Sequence, residues 1–123
     1  MQALVVAFLL SGKAQCADIL ITKTQFVDGV KATFPDSFCG DDTYFRKCFV
    51  SAKDDCTKSM KTATNSCIEK MQSDFPPNFR QPTDGQSWGE KLGGCIGEKF
   101  EIEKSKTRLQ TADCKDVNKW GPH

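Results

Sequence analysis

The sequence predicts an all-α fold: a small disulfide-stapled helical domain of three to five helices with a long central helix. Three observations carry this. Apolar residues from about position 22 to 109 recur at steps of three and four, the period of a helix face. Six cysteines follow residue 17, an even number behind an export-type leader. Prolines gather at Pro35 and between Pro76 and Pro82, so they divide the chain into helical segments.

The leader comes first. Residues 3–10 are an uninterrupted apolar run of eight, followed by Ser11-Gly12-Lys13-Ala14-Gln15-Cys16-Ala17. Eight residues rise only ~12 Å as a helix, against a hydrocarbon core of ~30 Å. The run therefore reads as the core of a secretory signal peptide, residues 1–17, although no Lys or Arg precedes it. Cleavage falls after Ala14 or after Ala17. The first leaves Cys16 as an odd thiol able to link two chains. Residues 18–123 then make a single helical domain. Of 17 basic residues Lys13 leaves with the signal, so 16 basic face 16 acidic residues. A neutral surface argues against nucleic acid or an anionic membrane as the main partner, and no later apolar run is long enough to span one.

Segment one, from about 22 to 34, places Phe26, Val27, Val30 and Phe34 on one face, with Ile19 and Leu20 beside them. Pro35 is expected to end it. Segment two has Asp42 as N-cap and a stripe of Phe45, Cys48, Phe49, Ala52, Cys56, Met60, Ala63, Cys67 and Met71. It reads as one helix over about 43–72, or as two with a break near Asp54-Asp55. The linker 73–84 holds three prolines and is expected to be irregular. Segment three carries Trp88, Leu92, Cys95, Ile96 and Phe100, and reaches toward Leu109. Gly89, Gly93 and Gly97 line one stripe of it, where close approach of a second helix backbone would offset their cost. The tail from Cys114 looks irregular, with Val117 and Trp120 available to pin it.

The cysteines Cys39, Cys48, Cys56, Cys67, Cys95 and Cys114 read as three disulfides. Zinc is a poor competitor, because close C-x2-C pairs are missing and the only His is His123. On a continuous helix Cys48 and Cys56 lie ~12 Å apart and Cys56 and Cys67 ~16 Å, beyond the ~7 Å reach of a disulfide. Those three must then take Cys39, Cys95 and Cys114, in any of six ways. The favoured set is Cys39–Cys48, Cys67–Cys95 and Cys56–Cys114.

Catalysis finds little support. A nucleophile wants a nearby base, and His123 sits on the tail. Asp41-Asp42, Asp54-Asp55, Glu101 and Glu103 read more simply as helix starts and wet faces. No catalytic residue, metal or cofactor is assigned. The proline-rich linker is the better candidate for binding a partner, through Phe75, Asn78, Phe79, Arg80, Gln81 and Asp84. Stiff backbone with aromatic and Arg anchors suits a docking hot spot. The competing reading tucks Phe75 and Phe79 into the core, and for the aromatics it weighs more.

The short leader, the stretch Tyr44-Phe45-Arg46-Lys47-Cys48 to Cys67, and Trp88-Gly89 to Cys95 together resemble the periplasmic immunity proteins of type VI secretion. The members most similar neutralise a lysozyme-like, peptidoglycan-degrading effector. The resemblance implies a periplasmic homodimer that inhibits a muramidase-like domain by occluding its active-site cleft. The alternative is a secreted helical carrier of a small apolar ligand.

Overall fold

The computed structural model describes residues 19–120, so the leader, Cys16 and His123 lie outside the described residues. Strand β1 (Ile19–Thr22) runs directly into α1 (Lys23–Phe38). Thr22 makes the junction. Its Oγ1 accepts from the Gln25 N–H at 3.1 Å, and its own N–H donates to Gln25 Oε1 at 2.9 Å. This reciprocal box satisfies donors that a helix start leaves free. Phe26 and Val30 of α1 are buried, with Val27 and Phe34 half-buried beside them. Ile19 and Leu20 do not join that face; they are exposed strand residues.

Pro35 does not end α1 but sits one turn inside it. A proline brings no N–H to the carbonyl four residues back. Here the extra turn is held from outside. Cys39 N–H donates to the carbonyls of Pro35 and Asp36, both at 3.2 Å. Thr43 Oγ1 donates to the Phe38 carbonyl at 2.6 Å.

The second segment is broken, at a point slightly before Asp54-Asp55. The one-turn helix α2 (Tyr44–Lys47) stops at Cys48, and α3 (Lys53–Met71) starts afresh. The cause is non-local. Cys48 C=O, which a continuous helix would use internally, accepts from Leu109 N–H at 2.8 Å. Phe49 forms an isolated antiparallel bridge with Arg108. Asp54 and Asp55 occupy the first turn of α3, where negative charge is favourable and no side chain caps the helix. The expected stripe on α3 is inside: Cys56, Met60, Ala63 and Cys67 are buried, joined by Ser59, Thr64 and Ile68.

The linker is more regular than its prolines indicate. A 3-10 turn (Gln72–Asp74) leads to β2 (Asn78–Gln81), which pairs antiparallel with β1. The small sheet is an addition to the expected all-α plan, which otherwise stands, since the body is mostly helical. Next come α4 (Thr83–Lys104), a 3-10 turn (Ser105–Thr107), and the one-turn helices α5 (Ala112–Lys115) and α6 (Val117–Trp120). Among the described residues the helices are three long ones and three single turns, beside the three to five expected. Helix α3 packs between α1 and α4. Phe49, Met60, Phe79, Leu92, Ile96 and Phe100 fill the centre with almost no exposed surface.

The glycine stripe of α4 meets aromatic rings, not a helix backbone. A Cβ at Gly89, Gly93 or Gly97 would face the rings of Phe34, Phe38 and Phe45 at 3.8, 3.6 and 3.2 Å. Only Gly97 is tight, because the Phe45 ring also stacks edge-on against Phe100 at 5.1 Å.

All six cysteines from Cys39 onward are bridged, as Cys39–Cys56, Cys48–Cys114 and Cys67–Cys95, with Cα separations of 5.8, 5.5 and 6.0 Å. Cys67–Cys95 is as expected. The partners of Cys48 and Cys56 are exchanged, for two physical reasons. The extra turn of α1 carries Cys39 to the start of α3, and the break after α2 turns Cys48 toward the tail. Chain entropy ranks the bridges by the loop each closes. The Cys48–Cys114 bridge spans 66 residues and Cys39–Cys56 spans 17. The first is then worth about 4 kcal/mol and the second about 3 kcal/mol. Urea unfolding of paired Cys→Ser variants is expected to show the larger loss for Cys48/Cys114.

Candidate docking surface

The linker residues singled out in the sequence come together on the β1–β2 ribbon. The register pairs Ile19 with Gln81, Leu20 with Arg80, Ile21 with Phe79 and Thr22 with Asn78. Successive side chains of a strand point to opposite faces, so the ribbon has an inner and an outer side. Inside, the Phe79 ring stacks on Phe26 with centroids 4.0 Å apart and planes 9° from parallel. Phe75 meets Phe26 and Phe79 edge-on at 5.6 and 5.7 Å, and Trp88 at 5.0 Å. Phe75 and Phe79 are therefore core anchors, at 6 % and 0 % exposure. A partner would not touch their rings.

Outside, Leu20 lies across from Arg80, and Thr22 across from Asn78, all exposed. Asp84 turns inward along the chain. Its Oδ2 accepts from the Arg80 N–H at 2.8 Å, which fixes the end of β2 to the first turn of α4. Gln81 is half-buried with its amide lying over Gly85, where a methyl group would overlap it. Of the six candidates, Asn78 and Arg80 thus face outward, Gln81 and Asp84 shape the strand end, and Phe75 and Phe79 hold it down. Leu20 completes the outer surface at 65 % exposure, and Ile19, 66 % exposed, lies on the other side of the ribbon at its open end, across from Gln81. Sequence reasoning placed them in the core. Four residues are too few to show a period of two, and the pairing strand lies far along the chain.

Asp41, Asp42 and Glu101 have structural partners. Asp41 pairs with Arg46 at 3.3 Å and Asp42 with Lys47 at 3.9 Å. Glu101 Oε1 accepts from the Tyr44 hydroxyl at 2.5 Å. The Arg108 guanidinium lies 5.8 Å from the Tyr44 ring and donates to the Cys114 carbonyl at 2.7 Å. Trp120 leans on Tyr44 at 5.7 Å and donates to the Asp113 carbonyl at 2.8 Å, so it does pin the tail. Among the described residues no three His, Cys, Asp or Glu side chains come together to hold a metal. No described helix is long and apolar enough to cross a membrane. Four cavities are open surface grooves.

A family described as T2SS substrate NttA matches residues 20–108. The chain belongs to the NttA family. The matched stretch starts on β1 and ends at Arg108, the bridge partner of Phe49, so it holds the ribbon except Ile19, all three long helices and two of the bridges. Membership of the NttA family marks an exported protein, in agreement with the bridged cysteines. No curated protein and no solved structure matches the chain.

Tyr44 is the only tyrosine, so absorbance at high pH reports it alone. Burial, then the hydrogen bond to Glu101 and the Glu101 charge, push its pKa from 10.0 to about 12, with Arg108 acting against them. A raised value in the folded state means stability that is whole below pH ~10 and lost as pH climbs toward ~12. Spectrophotometric titration is expected to give a midpoint near 12 in the native protein, and Glu101→Gln is expected to move it back toward 10.

Proposed function

We propose that the chain folds and is cross-linked in the periplasm, leaves the cell as a type II secretion substrate, and works outside it by binding another protein. In this reading it is no enzyme and needs no cofactor, and the partner docks on the outer face of the β1–β2 ribbon. One observation carries the choice of surface. Leu20, two-thirds exposed, stands across from Arg80 and diagonal to Asn78 on a ribbon clamped to the core by the Phe26–Phe79 stack. Single exposed apolar residues are ordinary. A leucine set directly across from an arginine, on backbone that loses little freedom on binding, makes an economical anchor.

The test has two arms. Fractionation of cells with and without a working type II system is expected to find the mature chain in the medium only in the first. A photo-crosslinking residue at position 20 is expected to trap one defined protein, and Arg80→Glu is expected to abolish the adduct. Equal trapping from position 53, at the end of α3 away from the ribbon, would reject the ribbon as the docking face.

The inhibitor reading is second, and the outward Asn78 and Arg80 favour it. Their donors match the carboxylates that line a glycosidase cleft. Such a protein would be retained in the periplasm, where it would occlude the active-site cleft of a muramidase-like type VI effector as a homodimer. Near-equimolar chain is then expected to stop lysis of cell walls by the effector, and Arg80→Glu to restore it. Full lysis in the presence of excess chain removes this reading.

A further inference from the structure

We propose a second binding site, separate from the ribbon, for a tetrahedral oxyanion (a phosphate or sulfate group) in the cleft between α1 and α3. The cleft has a volume of about 240 Å³ and is lined by Lys31 and Pro35 of α1 and by Lys61, Thr64 and Asn65 of α3. A water molecule's share of liquid is ~30 Å³, so the space exceeds what one water needs.

The first observation is an unpartnered hydroxyl. Thr64 has no exposed surface, and its Oγ1 has no hydrogen-bond partner. Mid-helix threonines commonly return the hydroxyl to a carbonyl one turn back. Thr33 does so to Gly29 at 2.8 Å, and Thr62 to Lys58 at 3.2 Å. Thr64 does not, although the same local geometry is open to it. A buried hydroxyl left without a partner is costly, so a ligand that supplies an acceptor there gains what the fold forgoes.

The second observation is the charge of the lining. Lys31 and Lys61 are its charged groups, and neither is in an ion pair among the described residues. Three other grooves each include a carboxylate, from Asp55 and Glu103 in one, Glu90 in another and Glu103 in a third. Lys61, Thr64 and Asn65 stand at i, i+3 and i+4 on α3, and so share one face. With Lys31 across the cleft, two lysines, a threonine and an asparagine line one space. Pro35 forms a rigid wall that brings no N–H of its own. Donors without a competing carboxylate are the chemistry of an oxyanion site.

The test follows the amide resonances of the purified, oxidised chain during titration with inorganic phosphate, inorganic sulfate and glycerol 3-phosphate at constant ionic strength. Saturable shifts confined to residues 31, 61, 64 and 65 are expected, with none from chloride. Lys31→Gln/Lys61→Gln is expected to abolish them while the melting temperature in phosphate-free buffer stays the same. Thr64→Val keeps the shape and removes the hydroxyl, and is expected to weaken binding about tenfold. Glycerol 3-phosphate bound about tenfold more tightly than phosphate would identify a phosphoryl group carried on a larger molecule. Equal affinities would identify the free anion. Shifts that never saturate, or that spread over all lysines, would overturn the site. So would a Thr64→Val protein with raised stability and unchanged binding, since the buried hydroxyl would then take no part in holding the anion.

Discussion

Helix α3 carries Cys56 and Cys67, eleven residues apart and therefore three turns apart on one face. Cys56 reaches the end of α1 and Cys67 reaches the middle of α4. The two neighbours of α3 are thus fixed to it covalently, at opposite ends of the same stripe. A body of this size has limited core to set against chain entropy, and the bridges remove part of that entropy from the unfolded state. The third bridge works differently. It ties the break after α2 to the tail, in the same place where Cys48 and Phe49 pair with Leu109 and Arg108.

That frame explains where the aromatic residues go. With α1 and α4 held on either side of α3, the rings of Phe34, Phe38 and Phe45 fall over the glycine stripe of α4. Phe45, Phe49 and Phe100 then close the end of the core near the tail with edge-to-face contacts of 5.1 and 5.2 Å. At the other end Phe26, Phe75 and Phe79 close it beneath the ribbon. Because the inner ribbon residues are spent on the core, the outer ones are presented on backbone that is already ordered. The surface offered to a partner is a consequence of the aromatic packing beneath it.

The family match and the structure bear on different links. Membership of the NttA family concerns where the protein travels, and the bridges show a chain built to survive outside the reducing cytosol. The ribbon and the α1–α3 cleft are the surfaces proposed for what it meets there. The two surfaces differ in chemistry. One is apolar beside an arginine and suits a protein; the other is a cluster of donors and suits an anion.

Local pattern alone determined the helical class, the inner stripe of α3, the apolar positions of α4 and the commitment of six cysteines to bridges. Each depends on spacing within a few turns, which the order of residues states directly. Three features came only with the tertiary structure. The ribbon pairs residues 19–22 with 78–81, and neither strand is long enough to show its period. The helix break at Cys48 is made by a tail some sixty residues later. The exchange of partners between Cys48 and Cys56 follows from that break and from the extra turn past Pro35. In all three the deciding hydrogen bond or sulfur comes from a distant part of the chain, and periodicity holds no information about which distant residue arrives.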